Sequence, residues 1–392
     1  MEKSHIPGAV AVRVAETQAE REAIYALRYQ VYVRELKKAN VDNADHAQGW
    51  IRDPEDDQPQ TILLYSGPRD APAGTMRLRV WAQGEVDQHT AQIYSLARFP
   101  DLNRQAVFEI SRLIVSPSVR SSPVAPSLFE AAYRLAVGRR HAHIGFLYCA
   151  PGLSRAYHRL GFRGYQGELI PSPDGLRVPM VMIAGDLEHF QKVGSPLTPL
   201  VQEHFPAGSD HHADTTDYRY LVEGAFHPYE LDPAAVWREM QESLVDNERP
   251  ASVFLDKVPP EALKRLADAA TVMEAPAGAV ITREKLVEEE MFLVLSGEFQ
   301  VLLNGQRLVV LRPGDIAGEL ALFLPNHQRT ANIEAVTPGR LVVIGRKFMA
   351  TIKKENPALA AELLENLCRI MASRQAATDV VCYATKPAPD GV

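Results

Sequence analysis

Hydrophobic spacing divides the chain into a front half of mixed periods, a polar middle and a rear half of short strands. In the front half, Val10 to Val14 reads as a strand, roughly Thr17 to Glu35 as a helix, and Thr61-Ile62-Leu63-Leu64-Tyr65 and the run from Gly74 to Leu78 as further strands. Phe108 to Val115, bounded by Gln105 and Ser116-Pro117-Ser118, is a buried strand. Strand alternation puts Glu109, Ser111, Leu113 and Val115 on one face and Phe108, Ile110, Arg112 and Ile114 on the other. An ionisable residue on each face of a buried strand is costly, so this strand is expected to line a site. After the polar turn Arg120 to Ala125, the residues Leu128, Phe129, Ala132, Leu135 and Ala136 form one stripe of a helix running to about Arg140. Ser127 and Glu130 have capping-box spacing at its start. A strand, a polar turn and a helix N-terminus together suit an anion, because the first helical N–H groups lack internal partners.

From Val253 onward the period shortens to strands with close turns, the pattern of a β-roll or barrel. A helix over Pro260 to Ala269 leads into runs at Ala279, Met291, Phe299 and Leu308. Asn304-Gly305 between two of them marks a type I′ hairpin. Ala358 to Gln375 carries Leu359, Leu363, Leu364, Leu367, Ile370 and Met371 on one stripe, a helix able to close over a ligand or pair with a second copy as a homodimer. Between the halves, residues 191–250 hold clustered Pro, His and acids, with one short helix from Pro233 to Leu244. His211 and His212 are adjacent and diverge, so no metal site is expected.

Length and charge then bound the function. A chain of 392 residues suggests two or three domains: 1–190, a connector over 191–250, 251–376 and a tail over 377–392. A net charge of −7 disfavours nucleic acid as the main partner. With no N-terminal apolar run preceded by basic residues and no apolar stretch of about 18 residues, a soluble, unexported protein is expected, and three scattered cysteines suit a reducing cytoplasm. Residues 191–250 carry 4 basic against 11 acidic residues, whereas 1–190 carry 22 against 21. Between Arg104 and Arg163 there are nine arginines, no lysine, and only Glu109 and Glu130 as acids, which predicts an anion-binding face.

Arg120 to Ala125 resembles the acyl-thioester loop of the GNAT acyltransferases, and Tyr157 to Phe162 their Tyr-x-x-x-Gly-Phe segment. Within that group, Glu109-Ile110-Ser111-Arg112 resembles the strand of the acyl-homoserine-lactone synthases and N-acyl amino acid synthases, and Arg28-Tyr29-Gln30-Val31-Tyr32 their Arg-x-x-Val-Phe. The order of an acidic pair among Asp53, Asp56 and Asp57, a strand, and Gly-x-x-Arg-Leu at Gly74 to Leu78 is also similar. The resemblance implies an α/β fold of the GNAT type with a central mixed sheet. It implies Glu109, Ser111 and Tyr157 as catalytic groups, and Leu113, Val115, Arg120, Ser121, Ser122, Val124 and Ala125 around the acyl thioester. Arg28, Tyr32, Asp57, Arg77 and Arg112 would serve the acceptor. The family's acceptor-pocket Trp would fall near Lys38 and is absent, so an amino acid or another small amine is expected as acceptor. Pro123 and Pro126 remove backbone donors from the loop, which favours acyl carrier protein over coenzyme A as the carrier of the fatty acyl donor.

Gly318-Glu319-Leu320-Ala321, followed by Arg329-Thr330-Ala331, resembles the phosphate-binding cassette of cyclic-nucleotide-binding domains of the catabolite-activator type. The cyclic phosphate needs N–H donors and a guanidinium, here at Leu320 and Arg329, and Glu319 can accept from the ribose 2′-hydroxyl. The effector is expected to be cAMP or cGMP, with Thr330 leaning towards guanine. Only 16 residues follow Ala376, too few for a two-helix DNA-recognition unit. The expected whole is a cyclic-nucleotide-regulated N-acyltransferase; the alternatives are a sensor without chemistry and a regulated protein-lysine acetyltransferase.

Overall fold

In the computed structural model, residues 4–36, 41, 43–99, 102–150, 153–165, 170–172, 175–206, 238, 253–259, 261–262, 271–285, 290–324 and 328–384 are described. Lys38, His211, His212, all but Arg238 of the expected helix Pro233 to Leu244 and most of the one expected over Pro260 to Ala269 lie outside them. The chain divides into two compact units, Met1–His227 and Pro228–Val392.

The first unit is built on ten strands: β1 (Val12–Val14), β2 (Ala44–Asp45), β3 (Trp50–Ile51), β4 (Thr61–Ser66), β5 (Gly74–Trp81), β6 (Val107–Val115), β7 (Ile144–Cys149), β8 (Arg163–Gly164), β9 (Ile170–Ser172) and β10 (Gly175–Ile183). β2 and β3 form a small ribbon; the others form a mixed sheet in the order β1-β4-β5-β6-β7-β10-β8, with β9 on β10. Among the described residues of this sheet, only β6 and β7 run parallel. Helix α1 (Gln18–Tyr29) starts at a Thr17–Glu20 capping box and passes into a π-helical turn at Gln30–Glu35, filling the expected span. The remaining helices are α2 (Gln88–Ile93), α3 (Val124–Tyr133), α4 (Ser154–His158), α5 (Leu187–Lys192) and α6 (Thr198–His204).

Period-two alternation sorts the sheet's two faces. Leu64, Met76, Leu78, Phe108 and Ile110 pack with Leu128, Phe129 and Ala132 of α3. Leu63 and Tyr65 meet Ile24 and Tyr25 of α1, and Trp81, Phe146 and Ile183 meet Tyr94, Phe99 and Tyr165. Gly145 lets the Phe108 ring lie across β7, since a Cβ there would stand 2.1 Å from its edge.

Three expectations change. Helix α3 begins at Val124, so Ser127 lies inside it and makes no capping box with Glu130. Both are instead recruited by the N-terminal segment: Ser127 Oγ accepts from the Val10 N–H, and Glu130 takes Ser4 Oγ and the His5 N–H. The first unit's core continues past residue 190, because Leu197, Leu200, Val201 and Phe205 are buried in it. The strand carrying Glu109 does not keep its alternation: between Ser111 and Ile114 the register against β5 slips by one residue, and Arg112 sits at φ +52°. This bulge turns Arg112 to the Ser111 face rather than the opposite one.

The second unit holds two four-stranded antiparallel sheets. The strands are β11 (Thr271–Ala275), β12 (Val280–Thr282), β13 (Glu290–Ser296), β14 (Phe299–Leu303), β15 (Gln306–Leu311), β16 (Ile316–Ala317), β17 (Asn332–Ala335) and β18 (Gly339–Gly345). They are ordered β11-β18-β13-β16 and β12-β17-β14-β15. Asn304 and Gly305, both at positive φ, turn β14 into β15 as expected. The helices are α7 (Leu320–Phe323), α8 (Arg346–Glu355) and α9 (Pro357–Ala384), the last running beyond the expected Gln375. Part of the α9 stripe packs on its own unit, where Leu359, Leu363 and Leu367 are buried and Asn366 donates to the Phe254 and Asp256 carbonyls, while Leu364, Ile370 and Met371 are half-buried.

Candidate functional site

A tight turn over Pro54–Asp57 places Asp53 and Asp56 in the core, with Asp56 Oδ2 accepting from the Asp53 N–H. Arg112 grips Asp53 through two bonds of 2.6 and 2.7 Å, and Arg77 adds a third at 3.0 Å while its Nε donates to Ser111 Oγ. Arg28, fully buried beneath the Tyr25 ring, forks onto Asp56 and lies 3.8 Å from Asp53. Burial by itself would raise the Asp53 carboxyl; the guanidiniums of Arg112, Arg77 and Arg28 outweigh it and hold it below the ordinary range. The π-helical turn brings Tyr32 over Arg112, 5.6 Å from ring centre to guanidinium carbon. Four of the five expected acceptor residues therefore meet. Asp57 does not join them: it stands at the surface against Arg52, 2.6 Å away, and of the three aspartates at this turn it is Asp53 and Asp56 that are buried.

Glu109 is buried next along the same face and is held at both oxygens. Oε2 accepts from Arg79 at 3.1 Å and Oε1 from the Tyr94 hydroxyl at 2.9 Å. Arg79 is steadied in turn by Asp87 and lies over Trp81. Sequence reading missed Arg79 and Tyr94. Two-residue spacing from Arg77 puts Arg79 on the same face and was the available signal; Tyr94 lies on a connecting segment with none.

Beyond Glu109 the sheet parts. β6 and β7 pair at Val107–Ile144, Phe108–Gly145 and Glu109–Phe146, and β7 then follows β10 alone to Cys149. Leu113 and Val115, half-buried, lie on the free stretch of β6. On the α3 side of the sheet, Tyr157 of α4 packs edge-on against Phe129 and Phe162, and burial pushes its phenol far above the ordinary range. In the loop between β6 and α3, Ser121 is exposed at φ +67° and the Val124 N–H leans on Ser122 Oγ at 3.4 Å. Val124 is buried, Ala125 is half-buried, and the Ser127 N–H closes on the Pro123 carbonyl. Arg120 forks onto Glu35 at 2.5 and 2.8 Å, tying this loop to the π-helical turn.

In the second unit, Gly318 at φ +78° carries the chain past Arg329, whose Nη1 donates to the Gly318 carbonyl at 2.9 Å. Arg329 is buried over Phe292, 5.2 Å from its ring centre. Leu320 and Ala321 open helix α7, and Thr330 is exposed beside half-buried Ala331. Glu319 is buried, and its Oε1 accepts from Arg374 of α9 at 2.6 Å; the other Arg374 nitrogen donates to the Ile316 carbonyl. Nothing in the local pattern around Arg374 pointed to that pairing.

Comparison with known proteins agrees with both halves. Residues 23–186 match the family model of the N-acyl amino acid synthase FeeM, and residues 272–356 that of the cyclic nucleotide-binding domain. Residues 23–186 thus resemble the N-acyl amino acid synthases and residues 272–356 the cyclic nucleotide-binding domains. Among curated proteins it is 27% identical over 114 residues to the Pycsar effector protein XpPycTIR of Xanthomonas perforans, covering 29% of this chain and 38% of that one. It is 34% identical over 99 residues to the cGMP-dependent protein kinase egl-4 of Caenorhabditis elegans, covering 25% and 13%. The chain thus spans less than two fifths of these relatives' length. A solved cyclic nucleotide-binding domain from Methylobacillus flagellatus is 18% identical, with a TM-score of 0.34 over 40% of this chain and 86% of that one.

Proposed function

We propose that the front unit is a GNAT-type N-acyltransferase, moving a fatty acyl group from a thioester to the amino group of an amino acid or similar small amine under cyclic-nucleotide control. The observation that carries this reading is the parting of β6 and β7 just after Glu109. An extended thioester arm can lie between the two strands, with free β6 N–H groups near Leu113 to Val115 to polarise its carbonyl. The charged network borders the opening on one face and Tyr157 on the other. The acceptor's nitrogen attacks the carbonyl carbon, a C–N bond forms and the C–S bond breaks. Glu109 takes the proton leaving nitrogen, using lone pairs not engaged by Arg79 and Tyr94, and Tyr157, kept neutral by burial, protonates the departing sulfur.

The loop and the first turn of α3 have little left for a pyrophosphate, since the Val124 and Ser127 N–H groups turn inward and Pro123 and Pro126 have no N–H. Delivery on acyl carrier protein, with the single phosphate of its pantetheine arm, suits it better than delivery on coenzyme A. In the rear unit, Arg329 and the α7 N–H groups would hold the cyclic phosphate of cAMP or cGMP, and Glu319 the ribose. The likeness to Pycsar effectors and cyclic-nucleotide-dependent kinases supports a regulatory input there. A sensor without chemistry is the second reading, favoured by the Arg120–Glu35 pair that occupies the donor-side guanidinium.

Thiol release from dodecanoyl-acyl carrier protein and dodecanoyl-coenzyme A, with a mixture of the standard amino acids, tests the proposal. Release that requires amine, and that changes when cAMP or cGMP is added, is expected. No amine-dependent release under any of these conditions refutes it.

A further inference from the structure

Most tyrosine hydroxyls placed in the first unit are committed. Tyr29 meets His46 Nδ1, Tyr65 donates to Glu20, Tyr94 to Glu109, Tyr133 to the Ala184 carbonyl and Tyr165 to the Tyr94 carbonyl. Tyr148 differs. Its hydroxyl has no hydrogen-bond partner among the described residues, and it is 39% exposed where flanking Leu147 and Cys149 are buried. It lies on β7 two residues beyond Phe146, the last residue to pair with β6. The Tyr148 and Phe146 rings both rest against Tyr94, at 6.0 and 5.4 Å between centres, and the Tyr94 hydroxyl donates to Glu109. Tyr148 therefore stands on the lip of the opening, on the face of Glu109 and Ser111. Burial and the Glu109 charge push its phenol above the ordinary range, with Arg112 and Arg77 opposing, so it feels both ends of the charged network and stays neutral at physiological pH.

The chemistry of that face lacks something an amine needs. A neutral primary amine brings N–H donors that must find acceptors, and guanidiniums offer only donors. Ser111 Oγ already accepts from Arg77, Asp53 is taken by Arg112 and Arg77, and the Glu109 lone pairs left over by Arg79 and Tyr94 go to the N–H whose proton is lost, so the amine's second N–H needs a further acceptor. Tyr148 supplies an uncommitted oxygen at the rim of the opening. Tyr157, among Phe129 and Phe162, belongs to the other face. We propose that Tyr148 binds the acceptor: its hydroxyl oxygen receives one N–H of the incoming amino group and aims the nitrogen into the opening between β6 and β7. The two tyrosines then divide the reaction, Tyr148 serving the nucleophile and Tyr157 the leaving sulfur. This inference rests on the transferase reading above.

The test is Tyr148→Phe in the full chain, with Tyr157→Phe beside it. Donors are the dodecanoyl thioester of pantetheine and a dodecanoyl aryl thioester, whose acidic thiol leaves without help; the acceptor is whichever amino acid supports release by the parent. Tyr148→Phe should raise the acceptor KM about tenfold with either donor, the loss of one hydrogen bond to substrate, and leave the donor KM and thermal midpoint unchanged. Tyr157→Phe should lower kcat with the pantetheine thioester and recover with the aryl one. An unchanged acceptor KM in Tyr148→Phe, or a defect that vanishes with the aryl thioester, overturns the assignment and leaves the transferase reading standing. Absence of release by the parent with every amino acid overturns both.

Discussion

Replacing Asp53 by Asn tests whether the charged network holds the front unit together. Asp53 is 1% exposed and receives three guanidinium bonds of 2.6 to 3.0 Å from Arg112 and Arg77. A carboxamide keeps one acceptor oxygen but turns N–H groups towards guanidiniums that can only donate, and it removes the charge offsetting them. Breaking a buried pair costs about 3–5 kcal/mol. Arg28 keeps Asp56 and Arg112 is partly solvated, so the lower end applies, about 3 kcal/mol. For a unit of this size that is a fall of about 6–12 °C in midpoint. The control is Asp57→Asn: Asp57 and Arg52 are about half exposed, and solvent screening leaves their pair little to contribute. Differential scanning calorimetry of the full chain measures both. The sign of the pH dependence follows from the depressed Asp53 carboxyl. Its contribution is present above the unfolded value of 3.8 and is lost as pH falls through the folded one. The gap between parent and Asp53→Asn should therefore be flat near neutrality and close below about pH 4. A shift under about 2 °C for Asp53→Asn, or an equal one for Asp57→Asn, refutes this account.

Four further outcomes can be measured separately. Glu109→Gln should lower kcat for thiol release by about a hundredfold or more, and undiminished turnover removes Glu109 as the proton acceptor. Gly318→Ala puts a Cβ 2.3 Å from Arg329 Nη1 at a φ of +78°, so calorimetric titration should show cyclic-nucleotide affinity falling at least about tenfold. Glu35→Gln frees Arg120, which should lower the donor KM about threefold; a higher KM would mean that the pair shapes the donor site instead of obstructing it. Arg374→Gln releases Glu319 for the ribose and should tighten cyclic-nucleotide binding about threefold, whereas weaker binding would show that Arg374 helps to hold the ligand.

Local pattern carried the elements wherever one period held over several residues. The helix over roughly Thr17 to Glu35, the strand from Phe108 and the Asn304-Gly305 hairpin are all placed as their spacing predicts. In the front unit, reading failed where a long-range partner overrides the local rule. Ser127 and Glu130 have the spacing of a cap, yet a segment more than a hundred residues away takes both, an option invisible in any short window. Asp56 and Asp57 are adjacent and chemically alike. The turn's geometry alone decides which meets buried Arg28 and which meets exposed Arg52.

Arg112 is the most instructive failure. Strict alternation assigns it to the face opposite Ser111, where a guanidinium would be driven into the apolar layer of Phe108, Ile110 and Leu128. One extra residue in the strand relieves that cost and turns the group to Asp53, and non-glycine φ > 0 is the local strain that goes with it. The same slip lies along the stretch of β6 that has left β7, so the irregularity that defeats a period-two reading and the opening proposed to admit a thioester occupy one segment of chain. A strand kept perfectly regular through Val115 would hold its alternation and could continue pairing with β7, leaving Tyr148 and Ser111 no opening to face. On this reasoning, the break in pattern is what lets an otherwise ordinary sheet edge serve chemistry.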